Sequence, residues 1–135
     1  MTARELKSKV MALGNRLSKT MPRRDAFIQA WQICKKGGIE LPVRGVTVGS
    51  RQEALRRLAS YAPDQVWAFI VPELENKFDR NAAAVFVGVQ NGKGLYCTGY
   101  LPKEYAPAAR NLKVVGLRVI GDDLRGCRLS LAVWP

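Results

Sequence analysis

The sequence predicts an α+β protein: a small, partly open barrel of six short strands with short helices between them, preceded by an N-terminal αα-hairpin. Three observations lead there. Apolar residues recur at helical spacing up to Lys36 and at strand-like spacing after Ile39. The later runs are short, and their connections are too short for repeated helical crossovers, which suits a small, partly open barrel better than a parallel sheet. At 135 residues and 47% hydrophobic content the chain suits one compact unit with a small appendage, large enough to bury a core without staples. The expected division is a helical appendage at 1–38 and a barrel domain at 39–135.

The first helix is expected over residues 2–20. Thr2 and Glu5 form a capping-box pattern, and Leu6, Val10, Leu13 and Leu17 share one face. Gly14 weakens its middle, and Thr20-Met21-Pro22 ends it. A second helix follows over 23–36, with Asp25 in its first turn, Lys35-Lys36 in its last, and an apolar stripe of Phe27, Ala30, Trp31 and Cys34; Gly37-Gly38 stops it. Residues 41–48 read as the first strand, with Gly45 a bulge or point of close approach. Ser50 and Glu53 suggest another capping box, opening a short helix through Ala54, Leu55, Leu58 and Ala59. Residues 66–71 are apolar on both faces and read as a central strand. Residues 82–89 and a run from Leu95 form a hairpin around Asn91-Gly92. Pro102 suits the first turn of a helix running towards Arg110. Residues 114–120 and 128–134 alternate as two last strands, joined by a hairpin at 121–126.

Composition narrows the function. Lys and Arg number 22 against 11 Asp and Glu, a net charge of +11, and both the first 40 residues and the rest are basic. A polyanionic partner follows, with nucleic acid ahead of a membrane surface because no lipid-seeking helix is evident. No apolar run reaches the roughly 18 residues of a membrane span, and the charged N-terminus lacks a signal-peptide core, so a cytoplasmic protein is expected. There is no histidine, which removes Ser-His-Asp and Cys-His catalysis. Cys34, Cys97 and Cys127 are far apart and read as buried thiols, with no metal site and no cofactor expected. No phosphate-binding glycine loop is present, so any motor belongs to another chain.

The most unusual chemistry lies at the two ends of residues 75–104. One end reads Asn76-Lys77-Phe78-Asp79-Arg80-Asn81-Ala82, the other Gly99-Tyr100-Leu101-Pro102-Lys103-Glu104. The hairpin between them brings the ends side by side, so that two aromatics, a carboxylate and several cations share one rim. Phe78 there either caps the core or offers a base a stacking platform, with Lys77, Arg80 and Lys103 holding phosphates. Asp79 either accepts a hydrogen bond from a sugar hydroxyl or base amino group, or caps its turn. Asn81 is assigned to the turn. Tyr100 either stacks or buries its ring. Arg51, Arg56 and Arg57 fit a solvated helix face.

With these residues in view, 43–120 resembles the HIRAN domain, a DNA-binding module of some helicase-like repair ATPases that also occurs as a small bacterial or phage protein. The matching pieces are Gly45-Val46-Thr47 with Arg51-Gln52-Glu53-Ala54-Leu55, then residues 75–82 with the following strand, then Gly99-Tyr100-Leu101-Pro102-Lys103-Glu104. The resemblance implies an OB-like barrel and a pocket for the 3′ end of single-stranded DNA. It implies that Phe78 stands where a tyrosine stacks and Asp79 where the terminal hydroxyl is met. Tyr100 replaces a rim histidine, and Lys103 matches a phosphate-contacting lysine. Thr47-Val48 stands where such members carry Arg-Tyr, so Arg51 or Tyr100 has to substitute. The helical hairpin at 1–38 lies outside the resemblance.

The expected function is therefore a nucleic-acid-binding module without catalysis of its own, favouring single-stranded DNA or 3′ ends in replication or repair. A separate helicase or repair protein is the expected second partner, and nucleoid association is compatible with the charge. The expected binding residues are Arg51, Lys77, Phe78, Asp79, Arg80, Tyr100 and Lys103. Two other classes compete. One is a protein-interaction module acting through the helical hairpin. The other is a metal-dependent nuclease built on Glu73, Glu75, Asp79 and a lysine, which would need carboxylates converging on ions.

Overall fold

The computed structural model describes residues 2–90, 92, 94–123 and 126–134. Helix α1 spans Ala3–Leu17 and α2 spans Arg23–Lys36. The Thr2 hydroxyl oxygen accepts the Glu5 N–H at 3.1 Å, as the capping pattern requires. Leu13 and Leu17 are fully buried. Gly14 has a packing role: a Cβ there would meet the Phe27 ring at 2.5 Å, so the glycine sets how closely α2 approaches. The buried stripe of α2 is Ala26, Ala30, Ile33 and Cys34. Trp31, expected in that stripe, is 45% exposed, its ring beside the Lys35 ammonium at 5.8 Å. The small alanines are buried, and the bulky Trp31 is turned outward.

Strand β1 covers Ile39–Pro42, and α3 covers Arg51–Leu58. The first strand is thus shorter than the expected 41–48. Gly45, at φ +75°, turns the chain, so that Thr47 and Val48 lie in the turn before α3. Ser50 does not cap α3 through its side chain. Its backbone is already near the helical region, whereas a capping residue is usually extended. Instead Gln52 fastens α3: its amide nitrogen donates to the carbonyls of Cys127 (2.7 Å) and Val46 (3.1 Å), and its oxygen accepts the Cys127 N–H at 2.7 Å. The side chain thereby pairs with a strand as a neighbouring strand would. Gln52→Met keeps the length but strands these part-buried groups, and it is expected to cost about 2–4 kcal/mol in chemical denaturation. A change below about 0.5 kcal/mol would show that solvent replaces the bonds.

Strands β2 (Val66–Pro72), β3 (Ala83–Val89) and β4 (Tyr96–Tyr100) form one antiparallel sheet in that order. Strand β2 is therefore an edge and not central. It is apolar on its outer face because Phe69 stacks on Phe86 of β3, centroids 6.0 Å apart, while Trp67 remains 47% exposed. Of the expected Asn91-Gly92 turn, Asn91 lies outside the described residues. After β4, residues 103–105 turn and a 3-10 helix runs over Ala106–Asn111. Pro107 sits at its start and explains why no α-helix continues from Pro102: it lacks the N–H and crowds the preceding turn. Strands β5 (Lys113–Asp123) and β6 (Gly126–Trp134) pair with β1 in a second antiparallel sheet, ordered β1-β6-β5. Leu124 and Arg125 of the connecting hairpin lie outside the described residues.

The six strands thus form two three-stranded sheets, and among the described residues no ladder closes them into one barrel. Among the described residues, backbone hydrogen bonds stitch them at one seam. Val43 donates its N–H to Leu129 of β6 at 2.8 Å, and the next residue, Arg44, exchanges two bonds with Tyr100 of β4 at 2.8 and 2.9 Å. The chain crosses from one sheet to the other within these two residues. Gly99 makes the crossing possible. Its φ is +153°, and a Cβ would lie 2.2 Å from the Arg44 carbonyl oxygen. The helical hairpin joins the same interior: Val10, Leu13, Leu17, Ala30 and Ile33 belong to one buried cluster with Leu101, Ala106, Leu131 and Val133.

Candidate nucleic-acid interface

Residues 73–82 link β2 to β3 as a loop braced by one amide. Asn76 accepts the N–H groups of Phe78 (2.9 Å) and Asp79 (3.0 Å) on its side-chain oxygen and donates its NH₂ to the Glu73 carboxylate at 3.0 Å. This is the self-bonding turn that asparagine favours. Asp79 Oδ1 accepts the Asn81 N–H at 2.9 Å. Thus Asn81 contributes its backbone to the turn, and the amide that holds the loop is Asn76, which the sequence reading passed over. The brace leaves Phe78 fully exposed, at 100%, which removes the core-capping alternative.

An open cavity of about 460 Å³ lies beside this loop, lined among others by Arg44, Phe78, Asp79, Tyr100 and Lys103. The hairpin therefore does bring the two ends of the 75–104 stretch together. Asp79 fulfils its turn role with Oδ1, while Oδ2 has no hydrogen-bond partner among the described residues. Tyr100 presents a half-buried ring with its hydroxyl towards Glu73. Attraction of the phenol proton to that carboxylate, with burial second, raises its ionisation above the ordinary tyrosine range, so the hydroxyl stays neutral. The Arg51 guanidinium lies 5.6 Å from the Tyr100 ring centroid and donates to the Gly45 carbonyl at 2.7 Å. Arg51 therefore braces Tyr100 from outside the cavity.

Arg44 is the residue that sequence reading missed. It brings a cation to the rim from the crossing segment, whereas Thr47 and Val48, where a cation and an aromatic were sought, do not line this cavity. The available signal was alternation: Leu41 and Val43 are buried, Pro42 and Arg44 exposed. Lys77 is exposed and outside the cavity, and Arg80 lines a neighbouring cleft. A separate cavity of about 290 Å³, beside Leu58, Tyr61 and Tyr96, contains none of the predicted site residues.

The arrangement offers an exposed aromatic face, a second ring braced by a guanidinium, a carboxylate acceptor and two cations. Glu73 and Asp79 are engaged within the loop, and no three His, Cys, Asp or Glu side chains converge as metal ligands among the described residues. Cys34 and Cys127 are buried, and burial pushes the Cys34 thiol pKa up; Cys97 is partly exposed. No helix among the described residues is long and apolar enough to cross a membrane. No family model, no curated protein and no solved structure matches this chain.

Proposed function

We propose that this chain is a non-catalytic module that binds single-stranded nucleic acid at the rim, with DNA and its 3′ ends as the favoured ligand in replication or repair. The observation that supports this best is the convergence of Phe78, Asp79, Tyr100, Arg44 and Lys103 on one open cavity. A base stacks on an exposed aromatic whatever its identity, and flanking cations neutralise phosphates. A carboxylate in such a place repels phosphate, so Asp79 serves a hydroxyl or amino donor, as a strand terminus supplies. The resemblance of 43–120 to the HIRAN domain supports the same reading, as does the crossing at Val43-Arg44, which makes the two sheets intelligible as an OB-like barrel stitched at one seam. We assign the protein to the cytoplasm, acting beside a separate helicase or repair protein.

The test is a titration with labelled single strands and duplexes, with free and blocked 3′ ends, at several salt concentrations. Affinity for single strands is expected to fall with salt at a log–log slope of about −0.7 per phosphate contacted. Lys103→Ala is expected to weaken binding to all sequences and to flatten that slope by about 0.7. Binding that ignores salt, or none at low salt, overturns the proposal. The second reading, a protein-interaction module acting through the helical hairpin, is favoured by Ile28 and Trp31 of α2, which are 44% and 45% exposed. It predicts that Trp31→Ala abolishes partner capture while leaving strand binding intact.

A further inference from the structure

Arg80, expected on the rim, lines the cleft next to it. That cleft, about 180 Å³, also receives Arg16 from the last turn of α1, Lys19 from the turn after it and Arg110 from the 3-10 helix. No carboxylate lines it, and none of the four cations is in an ion pair among the described residues. Four like charges facing one concavity raise the local positive potential and repel one another until an anion enters. Their placement is built into the fold. Leu13 and Leu17 bury α1 in the shared core, and the Thr20 hydroxyl donates to the Glu104 carbonyl at 2.7 Å, pinning the end of α1 beside the 3-10 helix. The cleft also adjoins the rim, because Ala82 and Ala106 line both cavities. Among the described residues no aromatic lines the cleft, so they offer bases nothing to stack on there.

We infer that this cleft is a phosphodiester-binding subsite, which takes the backbone of a strand whose terminal base lies against Phe78. The inference rests on the rim being a nucleic-acid site. It makes the helical hairpin part of the binding surface, supplying two of the four cations. The division of labour is chemical: the rim reads a base and a terminus, and the cleft reads charge.

The experiment compares a trinucleotide with a ten-nucleotide oligothymidylate, both bearing free 3′ ends, on the full chain. The cleft variant is Arg16→Glu with Arg110→Glu, the rim variant Phe78→Ala. The control, Arg4→Glu with Lys7→Glu, carries the same net charge as the cleft variant, on exposed residues that line neither cavity. All the replaced side chains are exposed, so folding is expected to persist, and thermal melting checks this. At 0.1 M salt, loss of two backbone contacts is expected to lower affinity for the long strand by about 25-fold and to flatten its salt slope by about 1.4, with little change for the trinucleotide. The rim variant is expected to weaken both strands, and the control neither. If the rim variant weakens both strands while the cleft variant matches wild type, the cleft inference fails and the rim reading stands. An equal loss in the control shows a net-charge effect and also overturns the cleft. If wild type binds neither strand, or Phe78→Ala changes nothing, the rim reading falls and the inference with it.

Discussion

Gly99→Ala is expected to destabilise the protein by about 2–6 kcal/mol, from overpacking of about 1–3 and backbone strain of about 1–3 kcal/mol. The cause is local and specific. The added Cβ would lie 2.2 Å from the Arg44 carbonyl oxygen and 2.7 Å from Val43 Cγ1, both on the segment that crosses between sheets. Backbone cannot step aside as a flexible side chain can, so the two bonds between Arg44 and Tyr100 have to give way. For a chain of this size the loss corresponds to a fall in Tm of about 6–18 °C. Scanning calorimetry checks it, and a variant that melts within a degree or two of wild type would show that the two segments do not approach as described.

Phe78→Ala is expected to leave Tm unchanged and to weaken single-strand binding about 5- to 150-fold, the equivalent of about 1–3 kcal/mol of lost stacking. Stability is spared because the ring is fully exposed. The companion variant is Asp79→Asn. Asp79 Oδ1 holds the Asn81 N–H, so alanine would loosen the loop, whereas asparagine keeps that acceptor. It then presents a donor amide where the carboxylate presents Oδ2. Non-specific binding is expected to hold or tighten, while any preference for a 3′-hydroxyl over a 3′-phosphate disappears. Binding measurements with both kinds of terminus decide the matter. A retained preference places the terminus elsewhere.

Much of this was legible in the sequence. The second helix runs over Arg23–Lys36, the expected residues, because charged ends and a glycine stop mark it. The hairpin that joins Phe78 to Tyr100 followed from two apolar runs around a turn. What escaped depends on contacts distant in sequence. Phe69 and Phe86 stack across the outer face of an edge strand, and no local pattern distinguishes that from a buried central one. The role of Gln52 exists only because Cys127 lies opposite it. Arg44 joins the rim because the chain changes sheets there, a fact of topology that periodicity does not carry. The turn role falls to Asn81 on residue type alone, and only the backbone path shows that the bracing amide is that of Asn76.

The brace around Asn76 also decides when conformational entropy is lost. Fixing a residue's backbone costs about 1–2 kcal/mol. Because Asn76 holds Phe78 and Asp79 in the folded chain, that cost falls on folding and not on association. A ligand arriving at the rim has side-chain torsions to restrict, those of Phe78, Arg44 and Lys103, and its own, but no loop backbone. Encounter is then limited by diffusion and orientation, with no loop to close first. Such a rim suits the proposed role, in which strand ends are found and released repeatedly.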